Sequence, residues 1–295
     1  MADAGKTLRQ LVEEKIAQQS KAVRFTYALI RRYLDDRVGE KGAQLAYYFL
    51  FSLFPFVIFL TSAIGMTSFE LTDLFQADAV IPQEVAEMLT GYMNYVRGVA
   101  SPTLAWTGLL LTVWFFSRAT RSLQNALDLA MRVKKRRSFP VRVATSIAIT
   151  VGLLASIPLG ITFAFTGQTI LEKVSELMPQ LASMSEWIAS MRGAILITYS
   201  LILVMIIYLF GPSVRLTFKQ VVPGILFAAA VWTAASAIFS YYVANMARYS
   251  ALYGSLGAVL VLLLWLYITG AVIVLGGEVN GILIEMAKEE QKAEK

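Results

Sequence analysis

The sequence predicts an all-α protein: a bundle of six transmembrane helices, with amphipathic helical segments at the N-terminus and outside the membrane. Three observations predict it. The 295-residue chain is 57% hydrophobic and only 16% charged, and its mean hydropathy is +0.62. A soluble domain is nearer half apolar and a quarter charged, so much of this surface needs lipid as its solvent. Apolar runs long enough for a helix to cross hydrocarbon recur along the chain. Lysine and arginine alternate in density between successive connections.

The runs are Ala43–Met66, Thr103–Ser117, Val143–Gly167, Ala194–Gly211, Val221–Ala244 and Leu252–Ile284. The second is short, and the last is long enough to tilt or to leave the bilayer. Of the 26 Lys and Arg residues, 22 fall on the side of the two termini and 4 on the other, namely Arg97, Lys173, Arg192 and Arg248. Positive charge marks the cytoplasmic side, so both termini are expected there. The polar first 42 residues hold no cleavage site after a short apolar run, so the first span is expected to be retained. The chain divides into a cytoplasmic amphipathic segment 1–42, a membrane domain 43–284 and a charged cytoplasmic tail 285–295.

In the N-terminal segment, Leu8, Leu11, Val12 and Ile16, then Val23, Tyr27, Ile30 and Leu34, repeat at helical spacing among Lys, Arg and Glu. Such a helix either lies on the inner leaflet or packs on its own bundle. On the far side, Thr67–Pro102 and Gln168–Met191 carry further amphipathic patterns. The acidic residues of the first, Glu70, Asp73, Asp78, Glu84 and Glu87, lack the spacing of a calcium loop. Six spans split three and three, which would make any shared fold of the halves an inverted repeat, although the halves show no clear sequence match.

The chain has no Cys and no His. This excludes disulfides, thiolate nucleophiles, Cys-ligated zinc and the usual neutral-pH acid–base residue. It also has no Walker A loop and no dinucleotide fingerprint. No cofactor, no metal and no enzymatic activity is expected. The net charge of +6 needs no nucleic-acid partner, because a basic stretch such as Lys134–Arg137 suits an inner loop facing anionic lipid.

The first span reads Gly42-Ala43-Gln44-Leu45-Ala46-Tyr47-Tyr48-Phe49-Leu50-Phe51-Ser52-Leu53-Phe54-Pro55. The last holds Tyr253-Gly254-Ser255-Leu256-Gly257-Ala258, Leu264-Trp265-Leu266-Tyr267 and Leu275-Gly276-Gly277-Glu278-Val279-Asn280. With Leu123–Leu127 and Pro223-Gly224, these resemble the YihY/BrkB family from about Lys41 to Gly281. The resemblance implies a bacterial inner-membrane protein with six helices and periplasmic connections. Members have carried the label ribonuclease BN, generally regarded as a misassignment. Others are linked to serum resistance or to envelope lipid handling, and a transport role without an agreed substrate is suspected.

Ionisable groups within membrane spans are functional candidates by default. Glu278 follows Gly276-Gly277, and Asn280 is two residues on. Glu278 is expected to pair with Arg118 or Arg121, with Gln44, Asn125 and Asn280 completing a polar cluster at the cytoplasmic side. That cluster would be an inner gate, a headgroup site or a structural clasp. Asp35 and Asp36 are expected in surface ion pairs with Arg31, Arg32 and Arg37. Pro55 and Pro158 are expected to kink their helices, with Ser52 and Ser156 serving the freed carbonyls, while Pro212 and Pro223 punctuate span ends. Gly254, Gly257, Gly277 and Gly281 are expected to pack the last helix closely, within the chain or against a second copy. Two functions fit: a transporter or flippase of a lipid or amphiphilic envelope component, or a structural membrane protein without transport. Membrane lipids are the expected partners. A large cavity at Glu278 or Pro55 would favour transport, and a filled interior the structural role.

Overall fold

The computed structural model describes residues 19–65, 91, 101–157, 192–245 and 255–293. Among them it has seven helices and no strand: α1 Lys21–Asp35, α2 Val38–Gly65, α3 Pro102–Ala130, α4 Phe139–Ile157, α5 Arg192–Phe210, α6 Phe218–Asn245 and α7 Ser255–Ala293. All of Gln168–Met191, nearly all of Thr67–Pro102, Pro158, Gly254 and the first 18 residues lie outside the described residues.

Four described helices, α2, α4, α6 and α7, are long and apolar enough to cross a membrane. Helix α5 has a shorter apolar part, Ile197–Phe210. Helix α3 is long but carries Arg118, Arg121 and Asp128 in its second half. The outward faces are apolar, with Trp106, Leu110, Ile197, Leu226 and Ile238 exposed, as suits helices solvated by lipid.

Helix α2 packs along α3, and α7 packs on both α2 and α6. The core where they meet includes Val38, Leu45, Leu123, Leu127, Tyr208, Val221 and Val274. Small residues set the approach. A Cβ on Gly42 would lie 2.8 Å from that of Ala271, and one on Gly224 would collide with the Gly276 carbonyl of α7. The Tyr208 hydroxyl donates to the Ile273 carbonyl at 2.6 Å, and a side chain at Gly276 would fill the space it occupies. Such close backbone approach is how helices gain contact where lipid supplies no hydrophobic drive.

Helix α3 runs beyond its apolar stretch, which ends at Ser117, as far as Ala130, because Arg, Leu, Gln and Ala sustain a helix once it leaves hydrocarbon. Other expectations are corrected. Pro223 lies inside α6, in its second turn, rather than at an end. Ser52 donates to the Phe49 carbonyl at 2.8 Å, not to the Phe51 carbonyl that Pro55 deprives of its N–H. The turn around Pro55 is instead a packing site: a Cβ on Gly108 of α3 would come within 2.8 Å of the Pro55 carbonyl.

Helix α1 is amphipathic in an inverted sense. Val23, Ile30 and Leu34 are exposed, while Arg32, on the opposite side of the helix, is buried. Its polar face runs antiparallel along the end of α7 through Lys21–Glu290 and Arg24–Glu289, both 2.8 Å. The chain turns into α2 at Arg37, in the left-handed region with φ 53°.

Candidate functional site

The residues expected to form one polar cluster divide into separate sites. Gln44 and Tyr48 from α2, Arg118, Arg121, Ser122 and Asn125 from α3, and Phe139 and Arg142 from α4 surround a cavity of about 300 Å³. The spacings explain the convergence. On α3 the four residues fall at i, i+3, i+4 and i+7, one face of a helix, and Gln44 and Tyr48 are one turn apart on α2. Within this site the Ser122 hydroxyl donates to Gln44 Oε1 at 2.8 Å, and Arg142 Nη1 donates to Asn125 Oδ1 at 2.9 Å. Arg142 Nε is buried without a partner. The Arg118 guanidinium lies 4.9 Å from the centre of the Trp114 ring, a cation–π contact one turn away. Among the described residues no carboxylate lines the cavity.

Glu278 lies elsewhere and pairs with Arg32, which corrects the expected pairing with Arg118 or Arg121. Arg32 Nη1 donates to Glu278 Oε2 at 3.3 Å and to the Ala130 carbonyl at 2.8 Å, and its Nη2 pairs with Glu285. The reason is depth. Glu278 sits beside the last turn of α3, whereas Arg118 lies twelve residues earlier, about 18 Å along the axis at 1.5 Å per residue. Arg32 and Glu278 are almost fully buried, so each charge needs the other. Gly281 makes the contact possible, because a Cβ there would strike the Ala130 carbonyl. A side chain at Gly277 would run into Leu127 of the same turn. The Gly277–Gly281 pair thus packs α7 against α3 of the same chain, and Gly257 is half-buried further along the helix.

Asp36 belongs to this clasp and not to the surface. It is buried and accepts from Arg132 Nη1 at 2.8 Å, while Asp35 forms the exposed pair with Arg31. Desolvation opposes the charge on Arg132, but the hydrogen bond and charge of Asp36 outweigh it and raise its pKa. Asn280 makes a third arrangement, its Oδ1 accepting from the Gly224 N–H at 2.7 Å. Asp128 forms a fourth: it accepts from the Ser213 N–H at 2.6 Å and the Ser213 hydroxyl at 2.7 Å, pinning the α5–α6 connection to α3.

Sequence reasoning missed Arg32 and Arg142. Arg32 has a signal, because it lies opposite the stripe of Val23, Tyr27, Ile30 and Leu34. Arg142 follows Phe139-Pro140, and a proline in a first helical turn marks a helix start at the cavity's rim.

A second cavity of about 400 Å³ lies between α4 and α5. Ala148, Ile149, Gly152, Leu203, Ile206 and Phe210 give it a mostly apolar lining, and Arg137 stands at one end, donating to the Phe210 carbonyl at 3.1 Å. Neither cavity is lined by Glu278 or Pro55. Among the described residues no three Asp, Glu, His or Cys side chains converge to hold a metal ion.

The family described as virulence factor BrkB matches residues 29–295. The chain belongs to the BrkB family. It is 30% identical over 268 residues to a ribonuclease-like protein, YfkH, of Bacillus subtilis, covering 90% of this chain and 96% of that one. It is 24% identical to a UPF0761 membrane protein of Pseudoalteromonas translucida, over 86% of this chain and 84% of the relative. No solved structure matches. The Pseudoalteromonas relative is named a membrane protein, and with its family and its long apolar helices this BrkB-family chain is a membrane protein.

Proposed function

We propose that this protein transports or flips a lipid or amphiphilic envelope component in a bacterial inner membrane, with six spans and both termini cytoplasmic. The observation that carries the reading is the pairing of cavities along α4. A basic polar pocket opens at its first turn, and an apolar groove runs along the rest of the helix. An amphiphile has the same two parts, a polar head and a greasy body. Membrane lipids are accordingly its partners. Among the described residues neither cavity gathers the acid–base or metal-binding groups that ribonuclease chemistry needs, which supports a non-enzymatic role.

The test is translocation of a headgroup-labelled lipid in proteoliposomes containing the full chain. Faster loss of label to a membrane-impermeant quencher than in empty vesicles supports the proposal. Gly152→Trp, which fills the groove, should slow it. A rate equal to that of empty vesicles overturns it.

The structural alternative draws support from the two cavities' lying away from Glu278 and Pro55, and from the Arg32–Glu278 clasp, whose groups are consumed in holding α1, α3 and α7 together. On that reading Glu278→Gln leaves any lipid phenotype unchanged, and the clasp plays no part in gating.

A further inference from the structure

We infer that the pocket of Arg118, Arg121 and Arg142 is a binding site for a phosphate group, carried either by a membrane lipid or by a soluble anion. The inference takes its biological use from the amphiphile reading.

The charge balance points to it. Three arginines line one cavity that, among the described residues, no carboxylate lines. The buried carboxylates nearby are engaged elsewhere: Asp128 with Ser213, Asp36 with Arg132 and Glu278 with Arg32. Three clustered cations in a partly desolvated place repel one another, and an anion relieves that repulsion. The kind of anion follows from the donors. Arginine presents a planar fork of N–H groups that matches phosphate oxygens, and a tetrahedral group can accept from several forks at once. Asn125 orients one guanidinium, and that residue's Nε remains buried without a partner. Gln44 and Ser122 are already bonded to each other, which leaves the arginines as the principal donors. Helix α4 begins at Phe139 on the rim, so the positive end of its dipole adds to the same field. A cavity of about 300 Å³ holds a phosphate group together with the start of its ester chain. Trp114, stacked on Arg118, is 55% exposed on the outer face of α3, so one side of the site reaches the lipid boundary. Basic pockets between membrane helices are known to take acidic headgroups.

The test compares retention of phosphatidic acid and of the matching diacylglycerol by the full-length chain in detergent, read by native mass spectrometry. Those two lipids differ only in the phosphate. Phosphatidic acid should be retained and diacylglycerol not. Arg121→Gln and Arg142→Gln should each lower retention about tenfold, and Arg118→Lys should lower it less. Asn125→Asp sets a carboxylate beside Arg142 and should compete with the ligand while leaving the melting temperature near the parent value. Inorganic phosphate forms the second arm. If it displaces the lipid, the site reads phosphate in a lipid. If it binds with the same arginine dependence while phosphatidic acid does not, the site reads soluble phosphate, and the amphiphile proposal fails while this one stands. Equal retention of both lipids with no binding of inorganic phosphate overturns the inference, as do arginine variants that melt like the parent and bind undiminished. Lipid translocation without arginine-dependent binding would overturn this inference and leave the transport proposal intact.

Discussion

Arg32 and Glu278, separated by 246 positions in sequence, form an ion pair of 3.3 Å that is almost wholly removed from solvent. The same guanidinium also satisfies the Ala130 carbonyl and meets Glu285, so one side chain on α1 joins α3 to two acidic positions of α7, Glu278 and Glu285.

Removing one partner of that pair leaves a buried charge alone. Arg32→Met should destabilise the protein by about 3–5 kcal/mol, the usual cost of breaking a buried pair. Thermal unfolding in detergent would measure it. Arg32→Met combined with Glu278→Leu should recover much of the loss, and a double variant no more stable than the single one would contradict this account.

Gly281→Ala should lower the melting temperature sharply, because its Cβ would strike the Ala130 carbonyl, a backbone atom that cannot turn aside. Gly152→Ala is the matched control. Nothing lies within 4 Å of the Cβ it would add, and alanine is favoured over glycine in a helix by about 1 kcal/mol. It should be neutral or slightly stabilising.

Asp128→Ala should loosen the α5–α6 connection without melting the bundle. The Ser213 N–H and hydroxyl would lose their acceptor, at about 1–3 kcal/mol. Hydrogen exchange at residues 211–217 should speed up while exchange within α7 stays slow. Uniform acceleration throughout would mean that Asp128 supports the whole fold.

The lack of cysteine makes topology directly measurable. Single cysteines at Asp78 and Lys135 bracket α3 and should react with a membrane-impermeant maleimide from opposite sides. Labelling of both from one side would show that α3 does not cross and would reduce the span count.

Hydropathy placed the helices well where lipid contact and helical hydrogen bonding end together, as in α6, expected at Val221–Ala244 and found at Phe218–Asn245. It failed where they part. The apolar run of α3 ends at Ser117, yet its hydrogen-bonded turns continue for thirteen residues, and those turns carry Arg121, Ser122, Asn125 and Asp128. Taking the inner end of that apolar run as the level of Glu278 put Arg118 and Glu278 at one depth and produced the wrong pairing. The gathering of Gln44, Arg118, Arg121 and Asn125 was readable, because helical spacing sets their faces on α2 and α3. Arg142 was not, because it looked like one more positive charge in an inner loop. Which way an amphipathic helix turns its polar face is a tertiary choice, so the burial of Arg32 was beyond periodicity alone.

The 39 residues of α7 form a rod about 58 Å long, against a hydrocarbon thickness of roughly 30 Å. Such a rod acts as a lever. If its apolar half tilts by about ten degrees, the overhanging end swings by about 5 Å. Glu289 and Glu290 would carry Arg24 and Lys21 with them, so motion in the bilayer would be reported at the N-terminal helix without any contact between that helix and the lipid that moved.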